Sequence, residues 1–345
     1  MRMNKLIHLL TPPAIGKLFD KLAAKKKRLV PMDSEDKFLL NRFKEERLNF
    51  FFQENIIDEF CELMEEHFHG KPPIETKDQS NQEYLNELVK NGFCKIEGIF
   101  SKEQIKYWHD SLHAIVRTQV GELERLQAEH GVASGKYIVS EHNGAKLCYD
   151  LRGGYMRLWA VPGTEKFREN SVINDICNSY LSGISNESQV WYEFKAIPFC
   201  KDGNLALHSD SIFKQIKVFL VLHDIDYQNA PFIYYKRSHN LSEWRLLNDF
   251  LEFTNYNKKY FSSFVCWGDI GMGRLAEKYE NLSGLESIVT AQAGDVIIAD
   301  TRGVHGGSLL LSGYRLQLCM SFSMLGNFHN SYLPKHILNL SKNVN

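Results

Sequence analysis

The 345-residue chain predicts a mainly β core, in which strands close a small barrel with helices around it, behind a helical N-terminal extension. Three observations carry this. From Arg315 the chain alternates strictly, with Leu316, Leu318, Met320 and Phe322 on one face and Arg315, Gln317, Cys319 and Ser321 on the other, so one side is core and the other a polar lining. The turn signal Gly294-Asp295 opens the β-prone run Val296-Ile297-Ile298-Ala299, and a second apolar run spans Ile216 to Leu222. Residues 34–69, by contrast, place Phe38, Leu39, Phe43, Leu48, Phe51, Ile56 and Phe60 without strand alternation, which reads as helix.

In chain order, Ile15, Leu18, Phe19 and Leu22 come first, at helical spacing among Lys17, Lys21, Lys25, Lys26, Lys27 and Arg28. Such a basic amphipathic helix either gives residues 1–30 a peripheral contact with an anionic membrane or packs on the domain with its charged end in water. The sequence alone leaves both open. Lys71-Pro72-Pro73 then breaks the helical pattern and starts a polar linker, so residues 1–81 form the extension and 82–330 the core domain, with 331–345 a tail. A helix over Lys102 to Glu129 carries Ile105, Trp108, Leu112 and Ile115 on its inner face. Arg152 to Trp159 alternates polar and aromatic groups, as a pocket mouth or an edge strand would. Residues 241–287 form an aromatic-rich insertion with Trp244, Phe250, Phe253, Tyr256 and Trp267, of the kind used as a lid or an oligomer contact.

The chemistry is concentrated in His208-Ser209-Asp210 and in Gly303-Val304-His305-Gly306-Gly307. Residues two apart on a strand point the same way, so His208 and Asp210 can meet one metal while Ser209 turns aside. A distant His at a glycine-flanked strand exit completes the two-histidine, one-carboxylate set of a mononuclear non-haem iron centre, which leaves coordination positions open for reaction. Arg315 on the polar face is costly unless paired, so it points to an anion visiting the cavity, and a guanidinium fork suits a carboxylate. His223 reads as a strand-end residue rather than a ligand.

The order His208-Ser209-Asp210, Gln228-Asn229-Ala230-Pro231-Phe232, Arg237-Ser238-His239, Ala293-Gly294-Asp295-Val296, His305, Arg315 resembles the phytanoyl-CoA dioxygenase family. With Asn91-Gly92-Phe93 as an opening strand, the resemblance spans residues 84 to 326. It implies a double-stranded β-helix, that is a jelly-roll or cupin-like core, and an Fe(II)- and 2-oxoglutarate-dependent dioxygenase consuming O2. Its expected product is a hydroxylated small molecule, released with succinate and CO2. His208, Asp210 and His305 would bind iron as the catalytic centre, Arg315 would hold the distal carboxylate of 2-oxoglutarate, and Ser308 would add a hydroxyl contact. His239 matches a structural element of the family. Two positions depart from the pattern: Ala230 and Arg237 stand where the family has glycine. Asp210 argues against a halogenase, since its carboxylate fills the place a chloride would need. Two rival readings are a catalytically inactive jelly-roll binding protein, which would have lost a ligand, and a cupin-type metalloenzyme without 2-oxoglutarate, which would leave Arg315 without a purpose.

Composition sets the remaining bounds. With 41 basic and 42 acidic residues there is no global drive toward nucleic acid. Seven scattered cysteines, odd in number and without a C-x-x-C, fit reduced thiols rather than a disulfide framework or a zinc site. No apolar run reaches membrane-span length, and Pro12, Pro13 and Asp20 interrupt any signal-like segment. The expectation is a cytoplasmic enzyme, peripheral to a membrane if the basic helix binds lipid.

Overall fold

A computed structural model describes residues 73–130, 137–142, 145–151, 154–159, 163–182, 186–187, 190–198, 207, 209–210, 214–240 and 284–323. The expectations for residues 1–30, 34–69, 241–283 and 331–345, and for His208, fall outside these residues.

Among the described residues the first α-helix is α1 (Gln82–Asn91), ended by Gly92 in the left-handed conformation at φ 86°, and the chain then turns into β1 (Phe93–Ile96). Two helices follow, α2 (Lys102–Arg117) and α3 (Val120–His130). Ser101 caps α2 by accepting the Gln104 N–H at 3.2 Å. The sequence predicts one helix from Lys102 to Glu129; the break at Thr118-Gln119 lets Leu123 and Leu126 turn onto the core independently of Ile105, Trp108, Leu112 and Val116. A meander of β2 (Tyr137–His142), β3 (Ala145–Asp150) and β4 (Tyr155–Trp159) leads to α4 (Glu165–Arg168) and α5 (Ser171–Tyr180). The remaining strands are β5 (Asn186–Glu187), β6 (Trp191–Lys195), β7 (Gln215–Val221), β8 (Phe232–Tyr235), β9 (Glu286–Val289), β10 (Val296–Asp300), β11 (His305–Gly307) and β12 (Arg315–Ser323).

All described strand pairs are antiparallel. The larger sheet runs β1-β10-β7-β12-β6-β4-β3-β2, with β5 joined to the end of β12, and the smaller runs β11-β8-β9. This is the two-sheeted jelly-roll architecture expected from the sequence, a β fold with flanking helices. Because side chains alternate across a strand, the register sorts the large sheet into two faces. Ile216, Val218, Leu220, Leu316, Leu318, Met320, Phe322, Tyr192 and Phe194 form the main core with Trp108, Leu112, Ile173 and Ile176 of the helices. A second cluster of Phe93, Val221, Tyr234, Val289, Ile297 and Ala299 joins the two sheets.

Two expectations change. The stretch 74–81, read as a polar linker, is docked: Ile74 N–H donates to the Ser179 carbonyl at 3.0 Å, and Asp175 accepts from Lys77 N–H, Asp78 N–H and the Asn81 amide. Its polar residues serve as hydrogen-bond partners of α5. Residues 155–159 form an interior strand between β3 and β6, not an edge.

Candidate metal centre and cosubstrate pocket

Asp210 and His305 meet from different parts of the chain. Asp210 Oδ2 lies 3.4 Å from His305 Nε2, although the two residues come from a loop before β7 and from the first position of β11. The same short turn holds both. The carbonyl of Thr301 accepts the Asp210 N–H at 2.9 Å, and that of Gly303 accepts from His305 Nδ1 at 2.8 Å. A carbonyl can only accept, so Nδ1 carries a proton and Nε2 is the ring nitrogen that faces Asp210; a metal-binding histidine is held in this orientation by such a bond. Two donors on one six-coordinate ion about 2.1 Å away sit roughly 3 Å apart, so the Nε2 to Oδ2 spacing fits a shared cation. Lys217 Nζ also lies 2.7 Å from Oδ2, a further sign that this oxygen draws positive charge. Among the described residues no group of three or more His, Cys, Asp and Glu could hold a metal; His208, the expected third ligand two residues before Asp210, lies outside the description.

The exit of His305 is shaped by the elements read as structural. Ser238 Oγ accepts the Val304 N–H at 2.7 Å and donates to the Tyr235 carbonyl at 2.6 Å. His239 Nε2 donates to the Val89 carbonyl at 3.0 Å. His305 stacks on Tyr234 with ring centroids 6.5 Å apart and an interplanar angle of 16°. His223 accepts the Leu316 N–H through Nε2 at 3.1 Å, as befits a strand-end residue.

Arg315 opens β12 on the cavity side, as its alternation predicts, but it is already paired. Nη2 lies 2.6 Å from Glu193 Oε1, and Nη1 donates to the Ala230 carbonyl at 2.6 Å. Glu193 also takes Arg157 Nε at 3.3 Å and the Gln317 amide at 3.2 Å. Burial alone would lift its carboxyl, but the charges of Arg315 and Arg157 hold it below the ordinary carboxylate range. The expectation that the inward arginine must wait for a visiting anion is therefore corrected: a resident carboxylate partly neutralises it. Two guanidinium groups face one glutamate, which leaves positive charge for a second carboxylate. Arg315 Nε is buried without a hydrogen-bond partner, and a buried unmade bond costs about 1–3 kcal/mol. Ser308 donates its backbone N–H to the Pro231 carbonyl at 2.9 Å, so it borders the same 230–231 turn as Arg315.

Sequence reasoning missed Glu193 and Lys217, and it included Arg157 only as part of the alternating Arg152–Trp159 segment, without its carboxylate partner. The available signal was alternation inside β6, where Glu193 and Lys195 interleave with Tyr192 and Phe194; a charge at every second position of an aromatic strand marks a polar interior.

Ala230 and Arg237, the two departures from glycine, have φ of 58° and 65°. Glycine enters this left-handed region freely and other residues do so at a cost, which explains the family pattern and shows that this chain keeps the backbone shape without it.

The phytanoyl-CoA dioxygenase (PhyH) family model matches residues 88–313, a span that holds His208, Asp210 and His305 and stops just short of Arg315. Among curated proteins none matches this chain by sequence. Solved structures that align with it include the epimerase SnoN from nogalamycin biosynthesis in complex with Fe3+, alpha ketoglutarate and nogalamycin RO, at 13% identity over 71% of this chain and 84% of that one, with a TM-score of 0.45. Others are HygX from Streptomyces hygroscopicus with nickel and 2-oxoglutarate bound, at 14% identity over 73% and 89% with a TM-score of 0.42, and EctD from S. alaskensis in its apoform, at 13% over 74% and 82% with a TM-score of 0.44. The family match covers well over half of the chain, and with the jelly roll and the Asp210–His305 pair in place the protein belongs to the phytanoyl-CoA dioxygenase family of iron- and 2-oxoglutarate-dependent oxygenases.

Proposed function

We propose that the protein hydroxylates a small molecule at an unactivated C–H bond, with iron held by His208, Asp210 and His305 and with 2-oxoglutarate as cosubstrate. The observation that carries the reading is the approach of His305 Nε2 to Asp210 Oδ2 at 3.4 Å, on a turn that fixes the ring of one and the backbone of the other. Bound there, iron and 2-oxoglutarate would supply the oxidant, with succinate and CO2 as coproducts.

The chain's own residues supply orientation and charge. The Gly303 carbonyl keeps the proton on His305 Nδ1. Arg315, held by Glu193 and Ala230, has its Nε–H free to donate to the distal carboxylate of the cosubstrate, and Ser308 borders that end of the pocket. Phe219 and Phe232, with centroids 5.3 Å apart, and Tyr234 and His305 supply aromatic walls that limit water.

The test is anaerobic addition of Fe(II) and 2-oxoglutarate to the full-length protein. A weak visible charge-transfer band should appear, and Asp210→Ala should abolish both the band and succinate formation. An Ala variant that still forms succinate at the parental rate would remove Asp210 from the centre. Incorporation of oxygen-18 from O2 into the product distinguishes hydroxylation from an oxidation that leaves no oxygen behind.

A further inference from the structure

The turn Asp300–Val304, which carries both arms of the centre, is built around ions that water does not reach. Asp300 is fully buried and Arg302 is 5% exposed. Arg302 donates to the Asp300 carboxylate from Nε at 3.0 Å and from Nη2 at 2.5 Å, and its backbone N–H reaches Oδ1 at 3.0 Å. Tyr180, the last residue of α5, adds its hydroxyl to Oδ2 at 2.6 Å. Lys214 donates Nζ to the Tyr180 carbonyl at 2.6 Å and lies over the Tyr180 ring, 4.3 Å from its centroid.

A buried ion pair gains little stability, because desolvation offsets the attraction and apolar replacements of the whole pair are often neutral or better. What it imposes is geometry. From the turn it fixes, Thr301 O holds the Asp210 backbone and Gly303 O holds the His305 ring. The same residue ties the turn to the sheets: Asp300 N–H donates to the Gly92 carbonyl at 2.8 Å, and the Asp300 carbonyl accepts the Tyr234 hydroxyl at 2.8 Å. A rotation of this turn against α5 would move the two ligand arms relative to each other.

We propose that Asp300, Arg302 and Tyr180 are positioning residues of the metal centre, which set the separation of Asp210 and His305 by locking the turn between them to the end of α5. The proposal rests on the iron reading above. Histidine-orienting contacts beyond the ligands shift metal affinity by about 10–100-fold in comparable centres, and a contact that sets the spacing of two ligands should act in that range.

The probe is Co(II), bound anaerobically to the full-length protein and read by its visible d–d bands, which report ligand geometry without turnover. Tyr180→Phe deletes one hydroxyl. A paired Asp300→Leu/Arg302→Met variant removes both charges together, so neither ion is left alone in the core. Both should stay folded, bind Co(II) about tenfold or more weakly, and show altered bands at saturating Co(II). If the double variant does not fold, Tyr180→Phe decides alone. Folded variants with parental Co(II) affinity and an unchanged spectrum would overturn the positioning role while leaving the iron reading intact. A parent protein that binds no Co(II) would overturn both.

Discussion

Replacing Arg315 should cost stability as well as cosubstrate, and the two losses can be separated. Arg315→Leu leaves Glu193, 11% exposed at its side chain, with only Arg157 at 3.3 Å and the Gln317 amide at 3.2 Å. Breaking a buried pair from one side typically costs about 3–5 kcal/mol; because Arg157 remains, about half of that, roughly 2 kcal/mol, is expected here. Glu193→Gln should cost a similar amount by stranding two guanidinium groups. The double variant should cost far less than the sum, giving a coupling energy of about 2 kcal/mol. Denaturant unfolding of metal-free protein measures all three. Additivity within about 0.5 kcal/mol would refute the pairing, since independent sites add to that tolerance. On the Glu193→Gln background, Arg315→Leu should then raise the 2-oxoglutarate requirement at least about tenfold, the worth of one charge-assisted bond.

Three further outcomes follow from particular residues. Arg237→Gly should stabilise the protein by about 0.5–1 kcal/mol in thermal unfolding, since relief of a φ of 65° outweighs the added chain entropy of glycine. Gly303→Ala should destabilise it by at least about 2 kcal/mol and loosen the His305 turn, because the added Cβ would collide with the Tyr234 hydroxyl and come within 2.5 Å of its ring carbon Cζ; a parental unfolding midpoint would show that the turn gives way freely. Lys214, whose ammonium is pushed down to about 7 by burial and the charge of Arg302, binds fewer protons folded than unfolded between that pH and the ordinary lysine value of 10.5. Stability relative to Lys214→Met should therefore rise with pH across this window, by at most about 1.4 kcal/mol per unit, and flatten below pH 7; a pH-independent difference would show that the lysine keeps its proton.

Much of the fold was legible because it is written in local period. The alternation from Arg315 placed β12 and both of its faces, and Gly294-Asp295 before Val296 placed β10. The left-handed backbone at positions 230 and 237 was not anticipated, although the family glycines that Ala230 and Arg237 replace were the signal for it. What stayed hidden is pairing at a distance: nothing in the Trp191–Lys195 segment says that Glu193 will meet an arginine on β12, because the register of β6 on β12 decides it. The break between α2 and α3 was also missed, since Thr118 and Gln119 carry no strong helix-stop signal. Of the candidate centre, Asp210 and His305 were singled out from the sequence, while the turn that joins them emerges only in the fold, where the Thr301 and Gly303 carbonyls accept from Asp210 N–H and His305 Nδ1.

The order of strands in the larger sheet also governs how this protein must be made. β12, the last described strand in the chain, lies in the middle of that sheet, between β7 and β6, and β1 closes on β10 about two hundred residues downstream. At synthesis rates of about 5–20 residues per second, β1 waits roughly ten seconds or more for its partner. Until β12 emerges, β7 and β6 both show bare edges of the kind that recruit other chains. Chains that end before Arg315 should therefore aggregate on the ribosome-release timescale even though they contain His208, Asp210 and His305. Expression yield should step up sharply once the C-terminal boundary passes Ser323.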